Sequence, residues 1–160
     1  MIDYSKHIEG KILTWEQLKK QLEQWNFKDQ SVVFTNGCFD IIHQGHIDYL
    51  AHAASLGHQL VIGLNSDQSV KRLKGVNRPI NSEYSRAKVL ASFIFTSAVV
   101  IFDEDTPLEL IKLVKPAKLV KGGDYSLEQV VGKEFAAETI LLPFTPGFST
   151  TSTLEKAKNK

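Results

Sequence analysis

Cysteine and long apolar runs are nearly absent from this chain of 160 residues. Cys38 is the only cysteine, which excludes an internal disulfide and a zinc site built from several cysteines. No apolar run approaches the roughly 18 residues that a membrane-spanning helix requires, and no charged-then-apolar leader opens the chain. We therefore expect a cytoplasmic protein that has no membrane partner.

An excess of charge of either sign is also lacking. The 19 basic and 18 acidic residues leave a formal net charge of +1, so the chain has no global attraction to nucleic acid and any positive site must be local. A chain of this length is about one domain and buries roughly two-thirds of its unfolded surface. We expect residues 1–160 to form a single domain, with a frayed tail at 156–160.

Segments with strand-like and helical spacing alternate along the chain. Predicted strands cover 31–35, 59–65, 98–102, 118–121 and 139–142. Predicted helices cover 14–27, 45–57, 83–95, 108–114 and a segment that begins near Ser149, with Thr14 as the first cap and Pro107 at the first position of its helix. Residues 66–81 are polar, basic and without strong periodicity, as in functional or mobile loops. The alternation predicts an α/β fold, a Rossmann-like, doubly wound parallel sheet of about five strands flanked by helices, with helix 14–27 packed on it.

The most informative segment is 34–46, in which two histidines flank a glycine directly after a predicted strand. His43 and His46 lie three residues apart, so they share one face of the first helical turn. Gly37 permits tight backbone, and a helix that opens near Gly45 points free N–H groups and a positive dipole end at an anion. We interpret the segment as a nucleotide phosphate site, although an isolated histidine pair at a helix start would more often have no ligand.

Basic side chains follow the second predicted strand and continue into the next helix. The candidates are Lys71, Lys74, Arg78 and Arg86. Phosphoryl or nucleotidyl transfer requires positioning and charge neutralisation rather than a covalent intermediate, so these cations can meet a substrate phosphate and a departing pyrophosphate. An ordinary basic surface is the alternative, and it is strongest for Arg72.

Two later loops also follow strands. Lys121 and Asp124 lie beside a glycine pair that lets backbone approach a nucleotide or sugar closely. Ser149-Thr150-Thr151 offers hydroxyls and free N–H groups for β- and γ-phosphates, with a simple N-cap as the alternative. Because the carboxyl ends of parallel strands meet at one edge of a sheet, we expect all these loops to converge on one cleft.

The segment His43-Gln44-Gly45-His46 resembles the HxGH signature of the nucleotidyltransferase superfamily. The resemblance implies that the histidines hold the α-phosphate of a nucleoside triphosphate while a substrate phosphate attacks it. The candidate catalytic residues are then His43, His46, Lys74 and Arg86. The candidate nucleotide- and phosphate-binding residues are Thr35, Asn36, Gly37, Cys38, Phe39, Asp40, Gly45, Lys71, Arg78, Lys121, Gly123, Asp124, Ser149, Thr150 and Thr151.

A narrower resemblance rests on the combination of 35–46, 65–67, 71–75, 78–81, 120–125 and 147–151. Together these segments are similar to the adenylyltransferase domain of the bifunctional enzymes of ADP-heptose synthesis for lipopolysaccharide. The resemblance implies that ATP and D-glycero-β-D-manno-heptose 1-phosphate give ADP-heptose and pyrophosphate. It also implies Mg²⁺ bound through the triphosphate rather than at a dedicated protein site. The sugar-kinase domain often fused to such domains is not recognised here, so we expect a separate kinase to supply the sugar phosphate.

Several alternatives stay open. A cytidylyltransferase acting on glycerol 3-phosphate shares the same HxGH site, and a non-catalytic nucleotide-binding module is the alternative from another class. Asp40 can bond backbone N–H groups or meet ribose or metal. We interpret Cys38 first as a small buried residue; a thiol beside a phosphate site would instead have a lowered pKa and could be modified. Relatives commonly form homodimers, for which Trp15, Trp25 and 93–95 offer surface, although core packing explains the same residues.

Overall fold

One five-stranded sheet organises the chain in the computed structural model, which describes residues 1, 3–123 and 126–143. The strands are β1 (Val32–Gly37), β2 (Gln59–Asn65), β3 (Ala98–Phe102), β4 (Lys118–Gly122) and β5 (Glu138–Leu142). All neighbours pair in parallel, in the order β3-β2-β1-β4-β5. The helices are α1 (Tyr4–Glu9), α2 (Trp15–Phe27), α3 (Gln44–Ala54), α4 (Asp67–Lys74), α5 (Glu83–Ser92) and α6 (Leu108–Val114). The Rossmann-like fold predicted from the alternation is confirmed.

Alternate residues of each central strand face opposite sides of the sheet and enter two separate apolar layers. In β1, Val33 packs with α3 and α5 in one layer, while its neighbour Phe34 packs with α2 and α6 in the other. Helices therefore cover both faces, which is why the strands read as nearly continuous apolar runs. Helix α2 lies on the sheet as predicted, because Leu18 and Trp25 are buried in the second layer.

The aromatic residues considered for an interface are mostly used inside the chain. Trp25 is buried, and the Nε1 of Trp15 donates to the carbonyl of Ile101, 3.1 Å away. In 93–95 the two phenylalanines pack against the first layer, whereas Ile94 is 96% exposed. Core packing accounts for these residues, apart from Ile94.

The stretch 66–81 was predicted to lack regular structure, and this prediction is wrong over its first half, where α4 forms. Ser66 caps the helix by accepting from the N–H of Ser69, 3.0 Å away. The helix buries only Ser69 and Val70, so its apolar periodicity is too weak to see in the sequence. It ends at Gly75, whose φ of 98° suits glycine.

Smaller differences concern element ends. Helix α5 ends at Ser92 rather than at 95, because Phe93 is extended and turns into the core. Pro107 is the N-cap of α6 rather than its first helical residue. Helix α1 was not predicted, since it buries none of its residues. The helix predicted near Ser149 and the tail at 156–160 lie outside the described residues, so the single-domain prediction for 1–160 stays a prediction.

Candidate active site

The two signature histidines stack on each other at the start of α3. His43 is the extended N-cap residue and His46 lies in the first turn, with ring centroids 3.8 Å apart and an interplanar angle of 26°. The buried ring of Phe39 meets His46 edge-on at 5.4 Å, and Phe39 itself has a φ of 44°. Both imidazoles thus lie at the positive end of α3, just beyond the carboxyl end of the central strand β1.

The stacked rings are electrically neutral at pH 7. Burial and, as a smaller cause, the charge of His43 together lower the pKa of His46 to about 4. Burial also lowers the pKa of His43. The Nδ1 of His46 is buried and has no hydrogen-bond partner within the described residues. A neutral imidazole carries one N–H, so each ring can donate to an anion without first losing or gaining a proton.

Asp40 fastens the loop after β1 to the loop before α5. Its Oδ1 accepts from the backbone N–H groups of Ile80 at 2.8 Å and Asn81 at 3.1 Å. Its Oδ2 lies 2.7 Å from the Nε of Arg78, in an ion pair rather than an aligned hydrogen bond. Of the three roles left open for Asp40, the contacts support bonding to backbone N–H groups. Arg78, predicted to meet a phosphate, is held by this carboxylate.

Arg86 is a buried side chain that connects two loops to the start of α4. Its side chain is 1% exposed, and its donors reach the carbonyl of Asn81 at 3.0 Å, the carbonyl of Cys38 at 2.5 Å and Oδ1 of Asp67 at 2.8 Å. The predicted role of Arg86 at the reacting phosphates stays a prediction. The contacts themselves describe a side chain that holds the phosphate loop against the start of α4.

Positive side chains surround Cys38. The charges of Lys74, Arg86 and Lys121 all act on its thiol and favour the thiolate. Burial nevertheless raises the pKa of Cys38, so the lowered pKa expected for this thiol is wrong: desolvation of the thiolate outweighs the nearby cations.

Of the other basic candidates on α4, Arg72 pairs with Asp103 and Asp105, with its Nε 2.7 Å from the latter carboxylate. It therefore fits the basic-surface alternative. Lys71 is exposed in the last turn of the helix. Gly45 lies in the first turn of α3, next to His46.

The opposite side of the cleft is formed by the end of β4. The Nζ of Lys121 donates to Oδ1 of Asn36 on β1, 2.8 Å away, and burial lowers the pKa of Lys121. Gly123 follows with a φ of 111°. Gly37 leaves room for the Phe39 ring, which a Cβ would approach to 2.9 Å. The remaining predicted residues, Asp124, Ser149, Thr150 and Thr151, lie outside the described residues.

Tyr49, Asp67 and Asn81 lie at the site but were not among the predicted site residues, although 65–67 and 78–81 were singled out for the narrower resemblance. Asn81 donates from Nδ2 to the carbonyl of Asp40 at 2.9 Å, and Asp67 receives Arg86. Tyr49 bonds to Thr35, which is fully buried, so the Thr35 side chain is turned to Tyr49 rather than to the cleft surface. The only signal for Tyr49 was its position three residues after His46.

Other candidate sites are few in the described part of the chain. No group of three or more His, Cys, Asp or Glu side chains there could hold a metal ion. None of the helices in the same residues is long and apolar enough to cross a membrane. Two open cavities have volumes of about 500 and 590 Å³. The lining of the first includes Trp15 and Asp103, and the lining of the second includes Lys20 and Phe27, so neither includes the histidines.

Comparison with known proteins places the site in a family. The family described as Cytidylyltransferase-like matches residues 34–155. The bifunctional protein HldE of Campylobacter jejuni subsp. doylei is 54% identical over 159 residues, which are 99% of this chain and 33% of that protein. HldE of Helicobacter pylori strain P12 is 53% identical over 148 residues, 92% of this chain and 31% of that protein. The chain spans about a third of the length of the curated relatives it matches.

Two solved structures share the fold of this chain. The lipopolysaccharide core biosynthesis protein from Thermoplasma volcanium has a TM-score of 0.61 at 25% identity, covering 72% of this chain and 97% of that one. Pantoate-beta-alanine ligase from Francisella tularensis shares the fold, with a TM-score of 0.60 at 15% identity over 92% of this chain and 76% of that one. The chain belongs to the cytidylyltransferase-like family of nucleotidyltransferases.

Proposed function

We propose that this chain joins ATP and D-glycero-β-D-manno-heptose 1-phosphate to give ADP-heptose and pyrophosphate. The observation that carries the transfer reaction is the stacked pair His43 and His46 at the N-terminus of α3. The choice of substrates is supported by the similarity of the sequence segments 65–67, 71–75, 78–81 and 120–125 to enzymes of ADP-heptose synthesis. The similarity to the lipopolysaccharide core biosynthesis protein from Thermoplasma volcanium supports the same choice.

The proposed reaction is an in-line displacement at the α-phosphorus. A phosphate oxygen of the sugar forms a bond to that phosphorus, and the bond from phosphorus to the oxygen bridging the β-phosphate breaks. The electron pair leaves on pyrophosphate, so no covalent intermediate with the protein is needed. Negative charge grows on the non-bridging oxygens, where the N–H groups of His43 and His46 and the first turn of α3 stabilise it.

The cations have separate tasks in this proposal. The charges of Lys121, on β4, and of Lys74, at the end of α4, both act on Cys38 in the loop after β1. We assign Lys74 and Lys71 to the phosphates of the acceptor and of the leaving pyrophosphate. Hydroxyls in 149–151 are proposed for the β- and γ-phosphates.

Magnesium enters the proposal with the nucleotide. When bound, Mg²⁺ neutralises charge on the triphosphate oxygens. Asp40, the carboxylate of the loop after β1, is already engaged by two backbone N–H groups and Arg78. That engagement fits a metal held by the triphosphate rather than by this carboxylate.

The cellular setting is part of the prediction too. The proposed acceptor is a phosphate ester, so a sugar kinase has to supply it. A cytoplasmic location, where ATP is supplied, and a homodimer are likewise proposed.

A matrix of substrates tests the proposal. Pyrophosphate release is measured with ATP, CTP, GTP and UTP, each with heptose 1-phosphate and with glycerol 3-phosphate. We expect ATP with heptose 1-phosphate to be preferred over CTP by about 10² or more in kcat/KM, roughly 3 kcal/mol, because a site built for the adenine edge leaves polar groups unpaired with cytosine. Preference for CTP with glycerol 3-phosphate would establish the cytidylyltransferase alternative. Triphosphate binding without release from any pair would establish the non-catalytic module.

A further inference from the structure

The strands β1 and β4 part at the point where the cleft opens. Their pairing ends with Phe34 opposite Leu119, whereas β1 continues to pair with β2 as far as Gly37. Beyond that point Thr35 on β1 and Val120 on β4 face each other across the split. A split between neighbouring parallel strands is the position where an open α/β sheet leaves room for a ligand.

The hydroxyl of Tyr49, on α3, bridges this split. It donates to the carbonyl of Val120 at 3.1 Å and lies 2.6 Å from Oγ1 of Thr35. Since a phenol has one hydrogen, the Thr35 hydroxyl donates to the Tyr49 oxygen. Burial raises the pKa of Tyr49 to about 12, so the bridge keeps its proton at any working pH.

The Tyr49 ring also fixes the distance between α3 and β4. A Cβ on Gly122 would lie 2.9 Å from the ring, so the absence of a side chain there lets helix and strand approach closely. The hydroxyl and the ring therefore act on the same two strands. Just beyond them, Lys121 reaches across to Asn36 at 2.8 Å, which makes a second bridge over the opening.

The helix that Tyr49 anchors is the one that carries the histidine pair. Tyr49 lies three residues after His46, on the same face of α3, so a shift or rotation at Tyr49 moves the imidazole with it. Reacting groups lose much of their catalytic effect when they are displaced by about 1 Å. A fixed position of α3 should therefore affect the rate of the chemical step more than the affinity for substrate.

We propose that Tyr49 is a positioning residue for nucleotidyl transfer, one that sets the gap between β1 and β4 and holds His46 and Lys121 toward the same phosphate. Tyr49 itself does not touch the substrate, because its hydroxyl is used on Thr35 and Val120. The expected effect of Tyr49 on turnover rests on the proposed function. The expected effect of Tyr49 on the position of His46 rests on geometry alone.

Tyr49→Phe tests the inference, because it removes the hydroxyl and keeps the ring. We expect kcat to fall about 10- to 100-fold while the Kd for Mg-ATP stays within about threefold. Thr35→Val removes only one of the two hydrogen bonds made by the Tyr49 hydroxyl, so the double variant should be no slower than Tyr49→Phe. The matched control is Ser97→Ala, which removes a hydroxyl that accepts the N–H of Leu60 at 3.1 Å on another strand pair. It should leave kcat unchanged.

A readout without substrate keeps the two proposals separable. The titration of the His46 imidazole, followed by NMR in the folded protein, should shift upward in Tyr49→Phe and not in Ser97→Ala, because a loosened α3 exposes the ring to water. An unchanged titration, additive losses in the double variant, or a raised Kd with normal kcat would each overturn the inference. A wild-type chain that transfers nothing, but whose His46 titration shifts as expected, would refute the proposed function and leave the positioning role standing.

Discussion

The imidazole rings of His43 and His46 lie nearly parallel with centroids 3.8 Å apart, so a proton on either ring repels a proton on the other. Burial acts in the same direction, and both rings stay neutral in the free chain. Positive potential at the site therefore comes from the end of α3 and from Lys74 and Lys121 rather than from the histidines. A bound phosphate would favour the charged imidazoles, which strengthens their bonds as negative charge develops.

Replacement of His46 by alanine should affect the chemical step far more than binding. We expect His46→Ala to lower kcat by about 10²–10³ and to leave ATP affinity within several-fold, since donors aimed at developing charge act mainly in the transition state. Single-turnover rates and equilibrium ATP binding provide the measurement. His52→Ala, an exposed position on the same helix, is the control. Lost binding with an intact chemical step would contradict the role given to His46.

The same histidine predicts how stability depends on pH. The folded-state pKa of His46 is about 4, below the unfolded value near 6.5, so the unfolded chain binds more protons between these values. Its contribution is fully present above pH 6.5 and is lost as the pH falls toward 4, by roughly 1–2 kcal/mol once solvent screening is taken into account. Urea unfolding at several pH values measures this loss. His46→Gln should remove that part of the pH dependence, and an unchanged curve would show that His46 is not buried in its neutral form.

The two basic residues near the end of α4 should differ in their effects. Lys74 acts on the Cys38 thiol, whereas Arg72 pairs with Asp103 and Asp105 away from it. If Lys74 meets a phosphate, Lys74→Ala should lose about 1.5–3 kcal/mol of transition-state stabilisation. Arg72→Ala serves as the matched control and should change kcat/KM little. Equal, small effects of both variants on kcat/KM would assign Lys74 to the solvated surface.

The sequence predicts elements well where apolar runs are continuous and clearly bounded. The bounds of β2, β3 and α6 agree with prediction. Each strand is a buried apolar run and α6 buries Leu110, Ile111 and Val114, and each element is bounded by polar or turn-forming residues. Helix α4 escaped prediction because it buries only Ser69 and Val70. In such a short polar helix, the cap and the packing against β2 determine the structure, and neither appears as periodicity.

The candidate site likewise has features that the sequence predicts and features that it does not. The histidines, the glycine and the loop after β1 are local in sequence, so their spacing alone indicated a phosphate site. The connections between loops are not local: Tyr49 bonds to Val120, 71 residues away, and Asp40 bonds to Ile80, 40 residues away. The contacts between a carboxylate and the backbone N–H groups of distant residues form only in the folded chain. For this reason the sequence alone did not assign a single role to Asp40.

Asp40 should matter for stability as well as for the shape of the site. The Asp40 side chain is only 3% exposed, and Asp40→Ala leaves two backbone N–H groups and Arg78 without a carboxylate partner. We expect the free energy of unfolding to fall by about 3–5 kcal/mol, measured by urea denaturation. Lys112→Ala removes an exposed pair with Glu109 and should cost about 0.5 kcal/mol or less. Similar costs for both variants would show that the Asp40 contacts contribute no more than a surface pair.

Arg86 provides the sharpest test between a structural and a catalytic role. Its buried guanidinium joins Cys38, Asn81 and Asp67, so Arg86→Ala leaves two carbonyls and a partly buried carboxylate unpaired. We expect the free energy of unfolding to fall by about 3–5 kcal/mol. Arg86→Lys keeps the charge but cannot reproduce the fork of donors, so it should recover only part of that stability.

The comparison with Asp67→Asn identifies which role dominates. This variant weakens the buried ion pair without removing Arg86. If the role of Arg86 is structural, both Asp67→Asn and Arg86→Lys should lower the free energy of unfolding. Their kcat should then fall to a similar extent at temperatures where both variants are folded. A residue that contacts phosphate predicts the opposite pattern. In that case Arg86→Lys would lose kcat at nearly normal stability while Asp67→Asn stayed active, and the structural role of Arg86 would then be secondary. Urea denaturation and kcat measured on the same preparations decide between the two patterns.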